Sequence, residues 1–142
     1  MIKDLEAAIG YHFQNITLLQ NALTHSSYAN ERWHNSLMSN ERLEFLGDAV
    51  IESVTSDYLF IEFPDKSEGF LTQLRSKMVS RQSLNAVAKR IGLDEYVITN
   101  SSHTASQKHI YGDAFEAMIG AIYLDQGYEI VNRLLINKIL ED

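Results

Sequence analysis

Two widely separated segments carry the residues in this chain that could do chemistry. In NERLEFLGDAV (40–50), Glu41, Glu44 and Asp48 fall at i, i+3 and i+7, which is one face of an α-helix. In GDAFEAMIGA (112–121), Asp113 and Glu116 fall at i and i+3, again on one face. Carboxylates so arranged repel one another unless a positive charge lies between them. Two helices that bring such faces together form a cage of oxygen ligands, whose usual occupant is Mg²⁺ or Mn²⁺. The spacing points to a metal-dependent enzyme.

The residues around these acids sharpen the reading. At 100° per residue from Glu41, Glu44 falls at about 300° and Asp48 at about 340°, while Leu43, Leu46 and Val50 lie between about 140° and 200°. One side is apolar and the other acidic. In the second segment Asp113 and Glu116 share a side with Ala117, Gly120 and Ala121, and Phe115, Met118, Ile119 and Ile122 lie opposite. Small residues beside the acids, including Gly47 and Ala49 of the first segment, let another backbone come close. Short carboxylate arms need that approach to share an ion. The plainer alternative is a pair of solvated helix faces, with Asp113 favouring a helix N-terminus. Solvated faces usually carry Lys, Gln or Arg where this chain has Gly and Ala, which weighs against it. Phe45 falls at about 40°, on the acidic side. It lies either under a loop of its own chain or in a second subunit. The five histidines form no HExxH and no Glu-x-x-His pairing. His109 stands one turn before Asp113 and could touch the site, although a capping or surface role is simpler. No serine or lysine constellation suggests a covalent nucleophile. Taken alone, the spacing supports a divalent-metal site and no particular reaction.

The elements that must position these acids are helical. Leu5, Ala8 and Ile9 share a face and Gly10 stops the run; Asn15 can cap a second helix holding Leu18, Leu19, Ala22 and Leu23. The polar stretch 24–39 reads as loop with at most a short turn. The longest helix should run from near Asn40 to about Phe63, where Pro64 ends it. Asp65, ahead of Ser67, is the expected cap of the next helix, which carries Phe70, Leu71, Leu74 and Met78. That helix should break near Val79 and Ser80 and resume to Ile91, with Gly92 following. Residues 93–100 could be a short extended piece, and the Ser-rich 101–107 a mobile loop. Helices from about Lys108 to Gln126 and over 129–140 complete the chain. One proline and no strand alternation make the class all-α.

Composition narrows the function classes. The chain has 142 residues, 45% of them apolar, enough for one core and one domain. It has no cysteine, which rules out disulfides and thiolate zinc sites and suits a reducing cytoplasm. No basic and apolar leader opens it, and no apolar run approaches the roughly 20 residues of a membrane span. A soluble cytoplasmic domain without membrane attachment is expected. The net charge of −7, with 19 acids against 12 bases, argues against a nucleic-acid partner at first sight. Part of that excess sits in the cage, where two divalent ions would offset four charges and reverse the local field.

NERLEFLGDAV resembles the signature of the ribonuclease III catalytic domain. THSSYANE (24–31), EGFLTQLRSKMVS (68–80) and YGDAFEAMIGAIYLDQGY (111–128) resemble the family's flanking blocks, in the family's order. The resemblance covers essentially all of residues 1–142, read as one compact endonuclease domain. It implies an all-helical fold that forms a homodimer. It implies a metal cage of Glu44, Asp48, Asp113 and Glu116, with Glu41 and Glu68 contributing to the surrounding catalytic valley. Phe45 stands where the family places an aromatic knob that enters the partner subunit. Family members usually continue into a double-stranded-RNA-binding domain, and these residues contain none.

The activity so implied is hydrolysis of double-stranded RNA to 5′-phosphate and 3′-hydroxyl ends, in rRNA and mRNA maturation. Two Mg²⁺ ions per site, replaceable by Mn²⁺ and about 4 Å apart, can activate water and stabilise the leaving oxygen without a protein nucleophile. Asp48 and Glu116 are the candidates for closest involvement with the ions and the attacking water, hence the catalytic pair. Duplex RNA is read mainly by shape, phosphates and 2′-hydroxyls. The candidate contacts are Arg75, Lys77, Arg81 and Lys108. Two rival readings are a non-catalytic dimeric scaffold of the same fold that binds RNA or ribosomes, and a di-metal phosphohydrolase acting on nucleotides. The scaffold would be expected to lose cage acids, and here all six positions are acidic.

Overall fold

A computed structural model describes residues 2–100 and 109–136. Eight α-helices are present among them: α1 (Ile2–Ile9), α2 (Ile16–Ala22), α3 (Ser26–Trp33), α4 (Glu41–Glu62), α5 (Glu68–Met78), α6 (Arg81–Arg90), α7 (Ile110–Gln126) and α8 (Tyr128–Leu134). The fold is all-α. The only extended pairing among the described residues is a single parallel bridge between Thr24 and Ile98.

α7 is the axis of the molecule. Ile110, Phe115, Met118, Ile119 and Ile122 are buried, and so are Gly112, Ala114, Ala117, Gly120 and Ala121 between them. A helix with so many buried positions must be wrapped on most of its surface by others, leaving its acidic face to the pocket. α4 and α6 pack most extensively on it, with α2 and α8 completing the jacket. Leu5 of α1, Leu19 of α2, Val54 of α4, Leu84 and Ala88 of α6, and Leu93 belong to the same core.

Several helices start at a side-chain cap. The Asn15 side chain accepts the Thr17 N–H, and Ser80 accepts that of Ser83, which restarts the chain as α6 after the break at Val79. Ser67, not Asp65, caps α5, accepting the Phe70 N–H at 3.2 Å. Ser67 sits immediately before the first helical residue, so its short hydroxyl arm reaches the third N–H beyond it; Asp65 lies too far back. Asn40 precedes α4 without capping it, because its side-chain amide donates to the Ala22 carbonyl at 2.9 Å. Its backbone N–H donates to the Thr24 carbonyl at 2.8 Å. The start of α4 is thereby tied to the end of α2. Gly92 and Gly127 follow α6 and α7 with φ of 82° and 94°, a region an L side chain rarely adopts.

Two expected loops carry more helix than their composition suggests. Residues 26–33 form α3 and 36–38 a 3₁₀ turn, within the stretch read as loop. α3 has one buried anchor, Ala29, too sparse for a periodic apolar pattern. It is fixed at its ends instead. The His25 Nδ1 accepts the Ser27 N–H, and His34 closes the helix with φ of 52°. Residues 93–95 form a 3₁₀ turn, so the extended piece shrinks to the pairing at Ile98.

The expected loop at 101–107, Lys108 at the expected start of the next helix, and residues 137–140 of the expected last helix fall outside the described residues. Among those described, no helix is long and apolar enough to cross a membrane.

Candidate metal centre

The acids are brought together by a helix crossing that only glycine permits. A Cβ added at Gly47 of α4 would lie 1.6 Å from the carbonyl oxygen of Glu116 on α7. One added at Gly120 would lie 2.4 Å from the carbonyl oxygen of Leu43. The two backbones therefore touch. Glu44 and Asp48 flank Gly47 on one helix, and Glu116 supplies the opposing backbone itself. Ala49, grouped with the small contact residues on sequence grounds, is exposed and lies outside this crossing.

The crossing opens into a pocket of about 480 Å³ whose lining includes Glu41, Glu44, Asp48, Asp113 and Glu116. One carboxylate oxygen each from Glu44, Asp113 and Glu116 lies within 4.8 Å of the other two. Asp48 is more exposed and joins this trio through a hydrogen bond to Glu116. Glu41 stands exposed at the rim. Glu68 does not line the pocket; it opens α5, exposed, and accepts the Thr72 hydroxyl at 2.8 Å.

Burial and mutual repulsion set the electrostatics of these acids. Burial raises Glu116 to about 9, aided by its hydrogen bond to Asp48 and by the charges of Asp48, Glu44 and Asp113. Burial likewise lifts Glu44 to about 7, reinforced by Asp113 and Glu41 and opposed by Arg81. Asp113 is raised by burial, against the pull of its hydrogen bond with Glu44 and of the cationic groups of Arg81, His109 and His25. Half-buried carboxylates that must keep protons to coexist are a poor resting arrangement. A divalent cation would replace those protons and satisfy all three oxygens. The residues present thus fit a hard cation with oxygen ligands, and nothing in the trio suits a soft metal.

The remaining candidates scatter. Phe45 is 82% exposed, which removes the alternative that a loop of its own chain covers it. It borders the acidic pocket and also a second hollow of about 650 Å³ walled by Leu37, Leu46 and Leu124. Arg75 is committed to α4, donating to the Ser56 hydroxyl at 2.9 Å and lying 3.5 Å from Glu52. Lys77 is exposed beside a different pocket. Arg81 lines the acidic pocket, and Lys108 lies outside the described residues. His109 also lines the pocket; it stands at the start of α7 without capping it. Sequence reasoning missed His25, whose influence on Asp113 comes from a fold-back no local spacing announces.

The sequence pattern of the ribonuclease-III-like family matches residues 15–142. Over 133 residues the chain is 43% identical to ribonuclease 3 of Bacteroides fragilis, covering 94% of this chain and 46% of that protein. It is 42% identical over 137 residues to ribonuclease 3 of Listeria innocua, covering 94% and 60% respectively. The chain spans about half the length of the curated relatives it matches. Its fold is similar to the nuclease domain of ribonuclease III from Campylobacter jejuni, with a TM-score of 0.89, 35% identity and coverage of 99% and 97%. In that protein a flexible region is described as involved in dimer formation.

Proposed function

Because this chain belongs to the ribonuclease-III-like family, we propose that it is a metal-dependent endoribonuclease acting on double-stranded RNA. Residues 1–142 would form one catalytic domain, cutting to 5′-phosphate and 3′-hydroxyl ends in the maturation of rRNA and mRNA in the cytoplasm. The observation that carries this reading is the convergence of Glu44, Asp113 and Glu116 within 4.8 Å, beside a direct α4–α7 backbone contact. Acids from distant stretches do not meet across paired glycines unless their meeting matters.

Glu44, Asp48, Asp113 and Glu116 would hold the metal, Mg²⁺ in the first instance and two ions per site. Bound there, the ions neutralise a phosphate oxygen, acidify water and stabilise the departing 3′ oxygen. Glu44 and Asp113, sharing one proton when metal is absent, act chiefly as a fixed frame. Asp48 and Glu116 share the second hydrogen bond, on the more open side of the pocket, and stand nearest the attacking water. Glu41 adds negative charge at the rim. Glu68 would act farther along the bound duplex.

Phe45 and the adjoining apolar hollow support a homodimer, since an aromatic ring this exposed beside a matching recess is a self-complementary surface. Of the four candidate RNA contacts, Lys77 and Arg81 are the described ones left to meet phosphates. With so few, RNA affinity should be weak and its salt dependence shallow. A cleavage assay comparing duplex RNA, single-stranded RNA and free nucleotides, each with Mg²⁺ and with EDTA, tests the whole reading. Mg²⁺-dependent cutting of duplex RNA alone is expected. Binding without cleavage would favour a scaffold, and nucleotide hydrolysis a different phosphohydrolase.

A further inference from the structure

We infer that Arg81, which lines the same pocket as the carboxylates, grips the scissile phosphodiester and so acts in the chemical step. This rests on the endoribonuclease reading and assigns that site a further catalytic residue. The lining of the acidic pocket includes five carboxylates and one permanently charged cation, Arg81. Its charge acts on both Glu44 and Asp113. Yet among the described residues no carboxylate lies within ion-pairing distance of its guanidinium. The guanidinium is therefore held at middle range, close enough to project its field and too far to be neutralised. A phosphate group is the natural filler of such a gap, since a guanidinium offers it a planar fork of donors.

The other basic side chains near the site do not offer this. Arg75 is tied to Ser56 and Glu52, and Lys77 faces a different pocket. His25 and His109 also act on Asp113, but an imidazole lacks the planar fork of donors that a guanidinium offers a phosphate.

The mounting of Arg81 is rigid, which a generic RNA contact would not require. Arg81 opens α6 directly after the Ser80 cap. A Cβ added at Gly112, the residue before Asp113, would meet the Asn85 backbone nitrogen at 3.1 Å and the Arg81 carbonyl oxygen at 3.4 Å. The Asn85 Oδ1 also accepts the Gly112 N–H at 3.2 Å. The first turn of α6 is thus packed backbone to backbone against the residue preceding a cage acid. The origin of the Arg81 side chain is fixed relative to Asp113, as a donor aimed at developing charge needs to be.

The test is single-turnover cleavage of duplex RNA by wild type, Arg81→Ala and Arg81→Lys with Mg²⁺ at saturating RNA. RNA affinity, and Mn²⁺ affinity without RNA, are measured alongside. The expected result for Arg81→Ala at saturating RNA is a fall in rate of about a hundredfold, larger than any accompanying loss of RNA affinity. Lysine should restore part of the rate, since it returns the charge but not the fork. Mn²⁺ should bind Arg81→Ala as tightly as wild type or more so, because a competing cation has been removed. An unchanged rate, a loss confined to RNA affinity, or a loss that tracks weakened Mn²⁺ binding would each overturn the assignment. If wild type itself shows no Mg²⁺-dependent cleavage, the enzymatic reading falls first and takes this one with it.

Discussion

The substitution Gly47→Ala puts the structural argument at most risk. The new methyl group would sit 1.6 Å from the Glu116 carbonyl oxygen, where ordinary contact begins at 3.4 Å. It would also lie 2.6 Å from the Glu116 carbonyl carbon and 3.0 Å from the Gly120 nitrogen. All three neighbours are backbone, so no rotamer change relieves the clash. The helices must separate locally by close to 2 Å (3.4 less 1.6). Overpacking ordinarily costs ~1–3 kcal/mol, and a backbone-on-backbone clash belongs at the upper end. For a domain of this size ~3 kcal/mol lowers Tm by roughly 10 °C. The separation also pulls Glu44 from Asp113 and Glu116, whose spacing must suit metal–oxygen bonds to within about 0.2 Å. Mn²⁺ affinity should drop by more than about tenfold. Gly120→Ala, with 2.4 Å to Leu43, should do the same less severely. Gly69→Ala, whose Cβ would meet only the Ser67 hydroxyl at 3.9 Å, serves as the control and should be neutral or slightly stabilising. Thermal melts and Mn²⁺ titration of the three variants decide the matter. A Gly47→Ala protein that melts with wild type and binds Mn²⁺ equally well would refute the direct helix contact, and with it the account of how the acids are placed.

Other outcomes follow from the same geometry. With Glu116 at about 9 and Glu44 at about 7, Mn²⁺ binding at neutral pH should release between one and two protons, and affinity should climb as pH rises toward 9. Both folded values are raised above the ordinary 4.5, so their stabilising contribution is complete below that pH. In metal-free protein it is lost as pH rises through about 7 and then about 9. Calorimetry in buffers of different ionisation enthalpy would detect the released protons; none released would contradict the protonated cage. Glu116→Gln and Asp48→Asn should each abolish Mg²⁺-dependent cleavage while leaving the helical circular dichroism intact, and near-normal turnover in both would remove the catalytic pair. Phe45→Ala should shift the sedimentation profile toward monomer, at unchanged helicity; an unaltered dimer would place the interface elsewhere.

Much of the architecture was legible because helix periodicity and stop signals are local. Gly92, Pro64 and the Ser80 break mark boundaries that the structure reproduces within a residue or two. The approach of the two acidic faces was also legible, since glycine and alanine beside carboxylates are what a close backbone crossing requires. α3 was not, because its stability comes from His25 at one end and His34 at the other rather than from an apolar stripe. The cap of α5 was misjudged between two plausible residues, a choice set by register within the turn. Arg75 and Arg81 looked alike in sequence, both basic and both beyond Glu68. Only tertiary placement separates a side chain bound to α4 from one facing the acids.

α7 has a further consequence. The helix that bears Asp113 and Glu116 near its beginning also supplies the largest share of the buried core, and its far end is fastened by Asp125. The Asp125 carboxylate accepts the Tyr11 hydroxyl at 2.5 Å and the N–H groups of Gln14 and Asn15 at 2.8 and 3.0 Å. Chemistry and scaffold share a single rod, so the site has no separate melting event of its own. Heat inactivation should coincide with collapse of the entire molecule, and a curve of residual activity against temperature would serve as a direct reading of the folded fraction.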